Sequence, residues 1–155
     1  MKNISIVGRN NVAIIVTEAG LATNKYNKVQ GTTTTVAIAK ATLKTIKQIA
    51  EKDNTNEKYT ILVPDCMAKL IVKQWTPEAI KANNYRDDKR TYDKEFIDTL
   101  CAIRYYMSVC GPKVKMFTQS FKNLYQPQRE ITKNAWKIMD TIEKRQEKIG
   151  QLSYL

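Results

Sequence analysis

One stretch decides most of what this chain can become: residues 32–73, where a long amphipathic pattern gives way to a short apolar run. Thr32 to Thr35 offers hydroxyl acceptors for the free N–H groups of a helix start. Behind it, Val36, Ala39, Leu43, Ile46 and Ala50 recur at spacings of three and four, the stripe of a helix that faces a core. Lys40, Lys44 and Lys47 share another face of the same helix. Residues 51–58 are polar and turn-like. Tyr59-Thr60-Ile61-Leu62-Val63 is then a nearly continuous apolar run, the pattern of a strand covered on both faces. Pro64-Asp65 ends it, and a second helix is expected over Cys66–Trp75. The stretch therefore specifies a helix crossing to a buried strand, with an acid at that strand's C-terminal end.

The rest of the chain supplies the partners. Asn3–Arg9 reads as a strand, turned by Asn10-Asn11 into a β-branched second strand, Val12–Thr17. Lys25–Gln30 reads as a third strand whose lysines suit a sheet edge. Short turns make these three antiparallel. Thr76-Pro77 opens a short helix around Ile80. Lys81–Arg90 is a polar, mixed-charge projection. Thr91 is expected to cap a long helix with the stripe Phe96, Leu100, Ile103, Met107 and Cys110, stopped by Gly111-Pro112. Lys113–Thr118 alternates as a fifth strand. Pro127–Glu130 opens a last helix with the stripe Ile131, Ala135, Ile138, Met139 and Ile142, and residues 150–155 read as a tail. The expectation is one α/β domain: a mixed five-stranded sheet, three antiparallel strands followed by parallel ones, with helices on both faces.

Composition narrows the chemistry. The 155 residues include no histidine, which removes histidine bases, histidine-dependent triads and most mononuclear zinc sites. Three cysteines, Cys66, Cys101 and Cys110, show no metal-ligand spacing. They read as reduced thiols, buried for Cys101 and Cys110, in a cytoplasmic protein. No apolar run is long enough to cross a membrane, and the first residues lack a signal-peptide pattern. A net charge of +11 points to a polyanionic partner, nucleic acid above all.

The order of elements, the threonine-rich lead into the Thr32–Ala50 helix, and the junction Ile61-Leu62-Val63-Pro64-Asp65-Cys66 resemble the ribonuclease H family. The similarity runs from about Ile4 to Ile142, and the basic projection Lys81–Arg90 falls where some members insert a basic handle. The resemblance implies a mixed five-stranded sheet and phosphodiester hydrolysis by two Mg²⁺ ions held by four carboxylates. Of the matching positions here, Arg9 or a neighbour stands at the first, Ala37 at the second, Asp65 at the third and Thr132 at the fourth, with Glu130 nearby. Only Asp65 is acidic. A cation near the first position would oppose two divalent ions by roughly 4 kcal/mol per unit charge at 4 Å.

The sequence thus supports a catalytically degenerate ribonuclease H-like protein that binds RNA, an RNA/DNA hybrid or DNA, with no cofactor. Its candidate contacts are Arg9, Lys40, Lys44, Lys47, Lys69, Lys73, Lys81, Arg86, Lys89 and Arg90, with Tyr85 as a stacking face. Each lysine set also reads as a solvated helix face, and Asp65 also reads as the cap of the helix after it, accepting from an N–H near Met67 or Ala68. One rival is an active Mg²⁺-dependent nuclease with a rearranged set, Asp65, Glu130 and Glu18, in which Asp65 would hold the metal. Another is an interaction factor of a phage or mobile element that docks on a protein partner. Trp75 and Trp136 read as core or core-edge aromatics.

Overall fold

The computed structural model describes residues 2–18, 26–71 and 75–153, with side chains as far as 144. Strand β1 (Lys2–Arg9) turns into β2 (Val12–Thr17) through Asn10 and Asn11, both at positive φ, 55° and 65°. That is the left-handed pair a two-residue hairpin turn requires, and asparagine tolerates it. A short edge strand β3 (Asn27–Gln30) pairs antiparallel with β2; Lys25 of the expected strand lies outside the described residues. Helix α1 (Thr34–Lys52) crosses to β4 (Tyr59–Val63), which lies parallel to β1, with Ser5 opposite Leu62. Helices α2 (Pro77–Ala82) and α3 (Lys94–Cys110) lead to β5 (Val114–Thr118), parallel to β4. The last helix, α4, runs from Gln126 to Ser153, so the expected tail at residue 150 is helical as far as Ser153.

The sheet order is β3-β2-β1-β4-β5, a mixed five-stranded sheet of the ribonuclease H-like arrangement. Strand alternation sorts the side chains into two cores. Ile4, Ile6, Ile15, Ile61, Val63 and Met116 face α1 and α3, while Val7, Ile14, Val16 and Leu62 face α4 through Ile131, Ala135, Met139 and Ile142.

Helix α1 is buried more widely than its apolar stripe foretells, because Thr42 and Thr45 belong to the core as well. Their hydroxyls return to the carbonyls of Ile38 and Ala41 at 2.8 and 2.9 Å, which removes the cost of burying them. In α3 the fully buried residues are Ile97 and Ile103, with Leu100 beside them, and Phe96 is only partly buried. Its cap is Asp93, accepting from the Phe96 N–H at 2.9 Å, rather than Thr91, which pairs with Arg86 in a small hairpin. The expected helix over Cys66–Trp75 is a 3₁₀ helix, Asp65–Leu70, as far as the described residues show. Among the described residues, no helix is long and apolar enough to cross a membrane.

Candidate functional site

Parallel strands direct the ends of their chains the same way, so the C-terminal ends of β1 and β4 form one rim of the sheet. At this rim connections leave in opposite directions, the place where open α/β sheets commonly hold ligands. Continuing the Ser5–Leu62 register by three residues puts Gly8, not Arg9, level with Asp65. A Cβ on Gly8 would stand 2.6 Å from Ile38 Cγ1, so the α1 residue facing this point is Ile38 rather than Ala37. Ile38 and Ala37 are both buried.

Between the strand ends stands Gln119. Its amide nitrogen donates to the Ile6 carbonyl at 2.5 Å, the Leu62 carbonyl at 3.2 Å and the Ser5 hydroxyl at 3.3 Å. Its backbone N–H extends the β4 edge by donating to the Val63 carbonyl at 2.9 Å. Ser5, fully buried, shares a 2.8 Å hydrogen bond with Thr132 of α4, the residue that the sequence resemblance would set at the fourth acid position. Asp65 is exposed and accepts from the Ser120 hydroxyl at 2.6 Å. Asp65 is itself the first residue of the 3₁₀ helix, with Pro64 in the cap position, and the Met67 N–H donates to the Pro64 carbonyl at 3.0 Å, so Asp65 does not play the capping role read from its position.

This rim does not suit a pair of Mg²⁺ ions. Hard divalent ions need several oxygen ligands, carboxylates foremost, whereas Gly8 and Ile38 stand level with Asp65, and the Ser5–Thr132 pair lies three strand levels back from it. Among the described residues no three Asp, Glu, Cys or His side chains gather to hold a metal. The rearranged acid set does not converge either. Glu18 follows β2, which runs antiparallel to β1, so it lies at the opposite rim and accepts from the Asn3 amide at 2.6 Å. Five residue levels of strand separate it from Asp65, about 16 Å. Glu130 is exposed in the early turns of α4, between Gln128, which reaches Asn3, and Thr132, which reaches Ser5. It therefore also lies toward the far rim.

The basic residues divide into engaged and free. Arg9 points to α4, 2.8 Å from both Asp140 and Glu143, with its guanidinium 5.0 Å from the centre of the Trp136 ring. Hydrogen bonds to those carboxylates, Glu143 first, raise its pKa. It clamps the β1–β2 turn to α4 instead of offering a free cation. Lys40 pairs with Glu95 at 2.6 Å. Lys81 pairs with Asp98 at 3.3 Å, and that contact raises its pKa. Tyr85 donates its hydroxyl to the same Asp98 at 2.9 Å, which raises the phenol's pKa, and its ring lies under Lys94. Tyr85 sits at φ 62° at the end of α2, held by N–H donation to the Ile80 carbonyl at 2.8 Å.

Lys44, Lys47, Lys69, Arg86, Lys89 and Arg90 are exposed and form no ion pair among the described residues. Lys73 lies outside the described residues. The 85–92 projection is an ordered hairpin: Asp87 accepts from the N–H groups of Lys89 and Arg90 at 2.8 and 2.9 Å and from the Tyr92 hydroxyl at 2.6 Å. These bonds, the Tyr92 hydroxyl first, lower the Asp87 pKa to about 2.

Beside Asp65 opens a cleft of about 490 Å³. The α1 start (Thr33, Thr35) lies on one side, the 3₁₀ helix with Lys69 below, and Trp75, Arg90, Tyr92 and Asp93 opposite. Thr33 caps α1 by accepting from Val36 N–H at 3.1 Å, and Asp93 caps α3, so two helix N-termini with their partial positive charge border the opening. Lys69 lies 5.8 Å from the Trp75 ring centre and 5.6 Å from that of Tyr92, and Arg90 lies 4.2 Å from Tyr92. Sequence reasoning found Lys69 and Arg90, and Trp75 is the core-edge aromatic it expected, packed against the main core while also lining the cleft. The same reasoning missed Gln119, whose partners are distant in the chain.

The cysteines are less enclosed than expected. Cys66 is exposed by residue, Cys101 and Cys110 half-buried, and burial of the sulfur raises the pKa of all three. They are therefore poor thiolates at neutral pH. A comparison with protein-family models and a comparison with curated proteins each return no match.

Proposed function

We propose that this chain binds nucleic acid, RNA or an RNA-containing duplex, through a basic surface built on a ribonuclease H-like scaffold, without the two-metal hydrolysis of that family. One observation carries the reading: the cleft at the C-terminal rim of β4 is bordered by two helix N-termini and by Lys69 and Arg90, exposed cations that form no direct ion pair among the described residues. Lys69, which donates to the Tyr92 hydroxyl, is nevertheless near enough to Asp87 to help lower its pKa. Such cations release counterions when phosphates replace them, and helix N-termini favour the same anions. The net charge of +11 supplies the long-range attraction. Loss of hydrolysis is argued from residue identity, since only Asp65 remains of the acids the chemistry needs.

Fluorescence anisotropy with labelled RNA, RNA/DNA hybrid and DNA tests the binding. The expected result is binding that weakens steeply as salt rises, with little sequence preference. No binding to any of the three at about 50 mM salt would end the proposal. A parallel assay with Mg²⁺ addresses hydrolysis: cleavage that Asp65→Asn abolishes would restore an enzyme.

A further inference from the structure

We infer that the cleft beside Asp65 takes in a single unpaired base, so that the preferred ligand carries at least one unstacked nucleotide rather than continuous duplex. This rests on the nucleic-acid reading above and specifies the form of ligand within it. A volume of about 490 Å³ lies in the range of small-molecule sites and is enclosed enough to receive a base and its sugar. Trp75 is half-buried on the cleft wall and gives a π-face on which any base can stack, and the buried Tyr92 ring, 6.1 Å away and tilted by 60°, backs it. Lys69 and Arg90 lie against those same rings, where they can meet the phosphate attached to a stacked base.

The indole N–H of Trp75 is the most telling group. It is buried and has no hydrogen-bond partner among the described residues. A buried donor without an acceptor is costly, and the ring nitrogens and carbonyl oxygens of a nucleobase are acceptors. Two carboxylates also line the cleft and keep their charge, Asp65 accepting from the Ser120 hydroxyl and Asp93 from the Phe96 N–H, so the phosphate side of a ligand is met by Lys69 and Arg90. A base in a duplex is stacked and paired, and so is withheld from a stacking site on Trp75. A loop, a bulge or an end presents one at small cost.

The test uses three fluorescein-labelled RNA hairpins alike in length: one with a fully paired stem, one with a single bulged adenosine, and one with an abasic residue at the bulge. Anisotropy titrations are run with the full chain in a Trp136→Phe background, which leaves Trp75 as the sole indole. The bulged adenosine is expected to bind about tenfold tighter than the paired and abasic probes, as loss of one stacked base predicts, and to quench Trp75 emission. Trp75→Phe, which keeps a ring but lacks the N–H, should reduce the preference several-fold. Arg90→Gln, a change at an exposed position, should weaken the bulged probe more than the paired one. Equal affinity for all three probes overturns the base site while leaving the nucleic-acid reading intact. Failure of all three to bind overturns both.

Discussion

Gln119 does with one carboxamide what a longer ladder would do with several backbone pairs. The β1–β4 register ends at Ser5 and Leu62, and the amide beyond it answers the Ile6 and Leu62 carbonyls together. Gln119→Leu should therefore destabilise the protein by about 1–3 kcal/mol in urea denaturation, the cost of acceptors left without their donor. Ser5 and Thr132 invite a double-mutant cycle: Ser5→Ala or Thr132→Val alone strands a hydroxyl, and the pair of changes should cost less than the sum. Acid sensitivity has a local source as well. Asp53 accepts from the Tyr59 hydroxyl at 2.5 Å and from Thr55, and these bonds hold its carboxyl well below the usual range. A carboxylate with a lowered folded pKa contributes stability that is complete above the unfolded value near 4 and fades as pH falls toward the folded one. Stability measured across pH 5 to 2 should decline, and Asp53→Asn should flatten part of that decline. None of these contacts was legible in the sequence. Gln119 meets residues 57 and 113 positions away, and nothing local distinguishes it from any other loop glutamine.

At the scale of elements, the long helix and the hairpin meet through glycines. A methyl at Gly8 would press on the Ile38 side chain at 2.6 and 2.9 Å, whereas one at Gly31 would press on the Ala37 backbone at 2.5 and 2.8 Å. Gly8→Ala is expected to cost about 1–3 kcal/mol, with much of that strain relieved by Ile38→Ala, which removes both Cγ1 and Cδ1; Gly31→Ala should cost as much or more, with none of its strain relieved by that second change. Thermal or urea melts of the four variants decide the matter. Elements whose apolar period is long were readable before any coordinates: α1, α4 and the three hairpin-side strands fall where their patterns place them, within a few residues. What the pattern could not convey was packing on two sides. Helix α1 lies between the sheet and α3, so threonines that satisfy themselves against their own helix enter the core alongside alanines. Asp93 replaced Thr91 as the α3 cap because Thr91 is occupied in the 85–92 hairpin, a pairing that leaves no periodic trace. The acid that the rival nuclease reading set beside Asp65 lies elsewhere for a topological reason: Glu18 follows a strand antiparallel to β1 and so stands at the other rim.

For the molecule as a whole, the distribution of paired and unpaired charge separates stability from binding. Arg9 is tied to Asp140 and Glu143, whereas Lys44 and Lys47 are exposed and without ion-pair partners among the described residues. Replacing Lys44 and Lys47 by glutamine should reduce the slope of log affinity against log salt by up to about 1.8, leaving the melting curve nearly unchanged. Arg9→Gln should do the reverse, lowering stability by about 1 kcal/mol with the slope unaltered. The sign of the net charge was plain in the composition; which cations are spent inside the fold was not.

The helix that shields the second sheet face is encoded more than a hundred residues after the first two strands it shields. Val7, Ile14 and Val16 are translated early, yet Ile131, Met139 and Ile142 reach them only when α4 has been made. During synthesis those strands would stand with one greasy side bare, in the care of whatever chaperones attend the ribosome. Nascent chains halted before Gln126 should accordingly be cut by protease at low dose, and chains carried past Ile142 and clear of the exit tunnel should resist.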